Sequence, residues 1–400
     1  MPIFDVRHQA RAHRIVQRAI RSERLPHAYV FHGPEGVGKR TLAMRFAQLL
    51  LCAEPTTAEP APELAGDMDL VWQDACDVCD DCKLTTAGTH PDMQVVYKEL
   101  NRYHPAPEVR SRKAIDLGVD VVRHFVIDRV ADRPARGRAR VFVVLNSDQM
   151  SVSAQNALLK TLEEPPGTAF LILLARSLDR LLPTTRSRCQ PVPFVALPSE
   201  FVAERLRDHL PDLPAEQVRF LAGYCNGRLG VALRQASAGL LEVKSRLNQA
   251  VANLRDLGPT GFAACVQDDA SKLADKYVEE MVEAGRIEKV NEAPTTEPTR
   301  RGLMELLSLT SCLYRDALQV GCGRSDRVIN ADQADLPERM AHRLAPEAAA
   351  EAIRDIYRTE TDIANNANVP LALETLAIRL LRHEAGPARR TGQATREEIR

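Results

Sequence analysis

Two stretches of the chain place chemistry-bearing residues at telling spacings. The first is GPEGVGKRT, residues 33–41. A phosphate-binding loop reads G-x-x-x-x-G-K-[ST]. Its backbone N–H groups and the helix it opens cradle phosphates, its lysine reaches the β and γ oxygens, and its hydroxyl holds magnesium. Gly33, Gly38 and Lys39 stand in the required places and Gly36 adds backbone freedom, but Arg40 replaces the hydroxyl and Thr41 comes one position late. The second is CDVCDDC, which sets Cys76, Cys79 and Cys82 at C-x2-C-x2-C spacing, with Cys52 at the end of the helical pattern that the glycine-rich loop starts. Four thiolates around one Zn²⁺ in tetrahedral geometry is the simplest account, and it is a closed, structural site with no open position for catalysis. An iron–sulfur run would continue with three residues, then Cys and Pro, whereas position 86 is Thr. His90 is the alternative to Cys52. Thiols that are merely buried fit poorly, because three cysteines in seven residues among acids make a poor core pattern.

Hydrolysis of a bound nucleotide needs more than a loop. It needs a second strand ending in an acid for the metal, usually followed by a Glu that orients water. The candidate strand lies in RVFVVLNSDQM, and its apolar run ends in Leu145 and Asn146 where two carboxylates are required. Asp148 lies too far along to reach the same place. An active ATPase is therefore not expected. Whether Gly33, Gly36, Gly38, Lys39 and Thr41 still hold a nucleotide stays open, because the strand-to-helix context favours descent from a nucleotide loop while Arg40 removes the metal ligand.

The elements that must position these residues are legible as patterns. AYVFHG (28–33), MQVVYK (93–98), RVFVVL (140–145) and AFLILLA (169–175) read as buried strands of a parallel sheet. TLAMRFAQLLLC (41–52) and SAQNALLKTLEE (153–164) read as helices, the second stopped by Pro165 and Pro166. Such alternation predicts an α/β domain over residues 1–195, with the cysteine module inserted at 52–92. From 196 strand signals fade, predicting a small helical domain over 196–240 and further helices over 241–385, with a loop at 293–302. The polar tail 386–400 is expected to fray. Glu163 and Glu164 look like paired carboxylates, but adjacent helical residues do not face each other, so they read as a solvated helix end.

Composition bounds the partners. Aromatic residues are 4% of the 400, so a stacking platform for single-stranded nucleic acid is not expected. The net charge of -1 argues against a chain coated for DNA, so any such contact is local or shared with partners. There is no apolar run long enough for a membrane span and no secretion signal at the start. Nine cysteines, clustered in part and odd in number, favour metal binding over disulfides in a cytosolic chain.

At this point the motifs carry a family resemblance. LPHAYVFHGPEGVGK (25–39), the four cysteines, AGTHPD (87–92), QNALLKTLEEPP (155–166), LLPTTRSRCQ (181–190) and NANVPLALETLAIRLL (366–381) occur in family order over almost the whole chain. The chain resembles the bacterial clamp-loader subunits of the AAA+ class, and most of all the delta-prime subunits of DNA polymerase III. The resemblance implies an α/β P-loop-type domain with a zinc-binding insertion, a helical lid (196–240) and an all-α collar (241–385). It implies partners: motor and delta-type subunits in a pentameric ring, with the sliding clamp and primed DNA reached through the complex. It implies a cytoplasmic component of a DNA-directed DNA polymerase holoenzyme, without ATPase activity of its own. In that family the Arg of the SRC motif reaches a neighbour's nucleotide, which carries over to Arg188. Arg176 falls near a threonine that senses the γ-phosphate in motor subunits, and Gly230 falls where those carry a sensing Arg. Two other functions make demands that this sequence does not meet. An ATP-hydrolysing motor of the tau/gamma kind requires Asp-Glu at 145–146 and Ser or Thr at 40, and both are absent. A zinc-dependent nucleic-acid-binding module requires basic and aromatic residues around the cysteines, but DACDVCDDCK is acidic.

Overall fold

All four predicted apolar runs form strands, and a fifth joins them. The computed structural model describes residues 3–21, 25–60, 72–112, 114–136, 139–283, 285, 287 and 296–384. The strands are β1 (Ala28–His32), β2 (Met93–Val96), β3 (Arg140–Val144), β4 (Ala169–Ala175) and β5 (Gln190–Pro193). They pair in parallel throughout, in the order β2-β3-β4-β1-β5. β5 is not among the four predicted strands, and it contains Pro191 and Pro193, which are unsuited to a central strand. It lies at the sheet edge, where a missing N–H costs no ladder bond.

Alternation along each strand sorts side chains to two faces. Tyr29, Phe31, Val141, Val143, Ile172 and Leu174 pack with Leu42 and Phe46 of the helix that follows the glycine-rich loop. Ala28, Val30, Phe142, Val144, Leu171 and Leu173 pack on the other side with Leu158 and Leu162. Those residues come from α4, Val152–Glu163, which begins with Ser151 accepting from Ala154 N and ends before Pro165. Ahead of it in the chain come α1 (Ala10–Arg21), α2 (Lys39–Leu51) and the short α3 (Asp80–Thr86). A four-residue helix, α5 (Pro183–Arg186), leads into the SRC motif. Between α3 and α4 the chain also forms helical segments over 98–103, 107–110 and 119–130.

The chain divides into two compact units. The first comprises the residues up to Val202 together with Asn226–Val231, and holds the parallel sheet; the second comprises Ala203–Cys225 and the chain from Ala232 onward. The second unit is helical, with Ala215–Tyr224, Leu240–Ala252, Leu254–Glu283, which is broken by a kink at Gly258, Thr296–Gly321, Asp335–Arg343, Pro346–Ala364 and Val369–Glu384 among its helices. Gly302 lets two of them approach closely, since a Cβ there would stand 2.6 Å from the carbonyl oxygen of Ala270. The expected loop at 293–302 is corrected by this helix, which starts at Thr296. Pro298 sits in its first turn, where the N–H groups have no helical partner to lose. Residues 61–71 of the inserted module and the 386–400 tail lie outside the described residues. Among those described, no helix is long and apolar enough to cross a membrane.

Candidate functional site

The glycine-rich loop joins β1 to α2, as a phosphate loop must. Gly33, Gly36 and Gly38 all have positive φ, at 139°, 76° and 100°. At Gly36 space and conformation agree, because a Cβ would stand 2.7 Å from the backbone nitrogen of Val231. The residue before it, Gly230, donates its N–H to Gly36 O at 2.8 Å. The position where a sensing arginine was expected to be absent thus contributes backbone to the loop instead.

Lys39 is 9% exposed, and its ammonium donates to Gly33 O at 2.5 Å and to Pro34 O. Burial lowers its pKa to about 8, with Arg176 adding to the effect while the carboxylates of Glu35 and Asp148 oppose it. Arg176 lies 3.9 Å from Glu35 and gives its backbone N–H to Asp148 Oδ1 at 3.2 Å. The lysine of this loop therefore grips the loop's own carbonyls, and a phosphate would have to draw it away. Arg40 and Thr41 are both exposed.

Beyond β3, Leu145 is 6% exposed and packs in the core, its N–H tied to Val96 O at 2.8 Å. Asn146 follows in the left-handed region at φ 51° and is exposed. Neither can hold a metal with a carboxylate. Asp148 is buried, and its electrostatic hold on Lys39 is an influence that sequence spacing did not reveal.

Arg188 follows α5 on a turn fastened to α4, where Gln155 Oε1 accepts from Leu182 N at 2.8 Å. Its Nη1 donates to Thr184 O at 2.9 Å and to Ser187 Oγ at 3.4 Å, and its Nη2 pairs with the Glu163 carboxylate. Glu163 is exposed at the end of α4, as its reading as a solvated helix end expects, and the structure adds that its carboxylate is the ion-pair partner of Arg188. Cys189 beside it is buried and its thiol pushed up to about 12, so it packs as a neutral thiol.

The four cysteines converge. Their sulfurs all lie within 4.8 Å of one another. Cys52 Sγ is 3.5 Å from Cys76 Sγ and 4.0 Å from Cys79 Sγ, and Cys76 Sγ is 3.9 Å from Cys82 Sγ. A metal–sulfur distance of ~2.3 Å in tetrahedral geometry requires edges of about 3.8 Å, so the residues fit such an ion. Backbone N–H groups of Cys76, Cys79 and Cys82 each point at a cysteine sulfur at 3.4 Å. The N–H groups of Cys79 and Val78 hold the Cys76 thiol near a pKa of about 6, while burial raises those of Cys52 and Cys82. The His90 alternative fails on geometry. Its Nδ1 accepts from Asp92 N at 3.0 Å and its Nε2 faces Asp81 Oδ1 at 3.3 Å, which leaves no lone pair for a metal.

The module is anchored by α2, which carries the glycine-rich loop at one end and Cys52 at the other. Arg45, buried, pairs with Asp74 at 2.8 Å and with Asp77, and gives a further bond to Ala75 O at 3.2 Å. One turn on, Gln48 donates to Cys82 O at 3.2 Å.

Comparisons with known proteins agree with this arrangement. The family model described as "DNA polymerase III, delta subunit" matches residues 8–198, and the one described as "DNA polymerase III, delta subunit, C terminal" matches residues 295–382. A DNA polymerase III subunit delta' of Pseudomonas aeruginosa is 36% identical over 232 residues, 57% of this chain and 61% of that protein. The subunit delta' of Bacillus subtilis is 24% identical over 372 residues, 93% of this chain and 96% of that one. The subunit tau of Bacillus subtilis is 27% identical over 292 residues, 73% of this chain but 45% of its own length. The alignment with the Pseudomonas relative thus spans less than two thirds of that protein. With both ends matched by the delta-subunit models and a delta' relative aligned along nearly its whole length, the chain belongs to the delta-prime family of bacterial DNA polymerase III.

Proposed function

We propose that this chain is a non-hydrolysing subunit of a bacterial replicative clamp loader, and that it supplies Arg188 to the ATP site of a neighbouring subunit. The observation that carries the reading is a contrast within one unit. The arginine of the SRC motif is kept at the surface, whereas Leu145 and Asn146 occupy the places of the metal-binding and water-orienting acids. A chain with this combination can act on a nucleotide held elsewhere but cannot activate water on its own. A guanidinium delivered across an interface neutralises charge building on the transferred phosphoryl group, which can be worth roughly 10³ to 10⁵ in rate.

The partners are motor and delta-type subunits in a pentameric ring, with the sliding clamp and primed DNA engaged through the assembly. Residues 196–240 serve as a lid and 241–385 as the collar that holds the ring. The four cysteines hold a structural Zn²⁺, which fixes the module to α2 and supplies no chemistry to the reaction. Gly33, Gly36, Gly38, Lys39 and Thr41 are the loop residues that would meet ATP, once Lys39 leaves Gly33 O and Pro34 O; no hydrolysis follows there, because Leu145 and Asn146 supply no carboxylate.

The test is a loader reconstituted from the full chain and its partners, with Arg188→Ala in place of the native residue. DNA-stimulated ATP turnover and clamp loading should fall while the pentamer still assembles. Normal turnover and loading in an intact ring would defeat the assignment.

A further inference from the structure

The turn that carries Arg188 is fastened to α4 in two places of different character. Near the start of α4, the buried Gln155 accepts from Leu182 N at 2.8 Å and donates to Met150 O at 3.2 Å. This clamp joins side chain to backbone in the interior, and it holds the turn in place. At the far end of α4, Glu163 takes Nη2 of Arg188. Here both side chains are accessible, Arg188 at 32% and Glu163 at 48%. Eight residues of helix, about 12 Å, separate the two fastenings, so the second can open while the first stays shut.

Arg188 has its remaining terminal nitrogen, Nη1, on Thr184 O and Ser187 Oγ. Both terminal nitrogens are thereby engaged within the chain. They are also the donors a phosphate would take, because a guanidinium meets carboxylate and phosphate with the same planar fork. An arginine that serves a neighbour must give up its own acceptors first, and the only charged one among those named is Glu163.

We propose that Glu163 is a positioning residue, an internal anion that keeps Arg188 folded back on its own chain until a neighbour's phosphate displaces it. This rests on Arg188 acting in trans. The exposure of the pair suits exchange: an ion pair this open to water biases a population by about fivefold or less, enough to hold the arginine back and too little to lock it. The carboxylate thereby restrains turnover in the loader before DNA has brought the neighbouring site into register. The role draws on QNALLKTLEEPP, where Gln155 and Glu163 stand two turns apart and do different work on the same downstream turn.

The experiment uses the loader reconstituted from the full chain with its motor and delta-type partners and the sliding clamp. ATP turnover is read without and with primed DNA for the wild type, Glu163→Gln, Glu163→Asp, Arg188→Ala and the double variant Glu163→Gln/Arg188→Ala. Glu163→Gln should raise DNA-independent turnover about two- to fivefold and so reduce the ratio of stimulated to basal rate. Glu163→Asp, which keeps the charge, should restore the wild-type ratio. In the Arg188→Ala background, Glu163→Gln should add nothing. A melting curve and a pentamer check accompany each variant, and Glu163→Ala, expected to act with the same sign, stands in if Glu163→Gln does not assemble. Basal turnover that is unchanged or lowered by Glu163→Gln, with Arg188→Ala still impaired, would overturn this inference and leave the finger assignment standing. An increase that persists without Arg188 would overturn it as well. Normal turnover in Arg188→Ala would instead remove the assignment on which it rests.

Discussion

Lys39 and Arg188 are both cations bonded to backbone carbonyls of their own chain, yet burial separates their behaviour. Lys39 is enclosed, and its proton is held less tightly than in the unfolded chain, where the ordinary value is about 10.5. The charged form is therefore a cost of folding at any pH below about 8, and that cost fades as pH rises from about 8 to 10.5. Lys39→Met should gain stability relative to the wild type below pH 8, and this advantage should shrink across that window by on the order of a few kcal/mol. Urea unfolding of the two proteins at matched pH values measures it, and a difference that does not change with pH would contradict the argument. For Arg188 the useful property is shape. An ammonium cannot present two parallel donors to one phosphate, so Arg188→Lys should impair loader turnover about as much as Arg188→Ala. Turnover at the wild-type rate with lysine would mean that point charge alone suffices.

At the scale of an element, α2 does two jobs. Its N-terminus faces the glycine-rich loop and Cys52, which caps its C-terminus, joins the four-cysteine cluster, with Arg45 and Gln48 tying the module to it along the way. Thiolate binding can contribute on the order of 10 kcal/mol in small sites. Cys79→Ser should therefore lose metal and lower the melting temperature, and elemental analysis of the native chain should find about one zinc. A folded native protein without zinc, purified in the absence of chelator, would refute the metal. Arg45 makes a separate prediction. Arg45 and Asp74 are each 6% exposed, so Arg45→Met strands a buried carboxylate and should cost about 3–5 kcal/mol in denaturant unfolding. A cost near zero would show that water reaches Asp74 as the salt bridge opens.

For the whole molecule, the non-hydrolysing role proposed above rests on the core and not only on the loop. Leu145 packs among the residues that seat α2 on the sheet, so its side chain faces apolar surroundings where a metal-binding acid would need an opening. Arg40→Thr restores a hydroxyl to the loop and changes nothing in that core. The isolated chain should show no ATP turnover above a boiled control, and Arg40→Thr should show none either. Turnover that scales with this protein and survives Leu145→Ala would mean that the strand has been misassigned. Nucleotide occupancy is a separate quantity, and equilibrium dialysis with ATP measures it directly.

What the sequence by itself determined are the features written in local order. Strands buried on both faces leave continuous apolar runs, so β1 to β4 could be read without a fold. The glycine-rich loop and the cysteine spacing are legible for the same reason, as is the missing pair of acids at Leu145 and Asn146. The tertiary structure alone decided what depends on residues far apart in the chain. β5 carries two prolines and is a strand only because the edge beside β1 accepts it. The helix from Thr296 runs through a stretch whose composition reads as a loop, since its stability comes from packing against its neighbours and not from its first turn. The choice between Cys52 and His90 turned on where the ring nitrogens of His90 point, which spacing cannot express. Glu163 and Arg188 are 25 positions apart, with three prolines, a strand and two short helical turns between them. No period links such residues. They meet because α4 and the SRC turn pack together, and long-range contacts of that kind exist only once the core has set the direction of both elements.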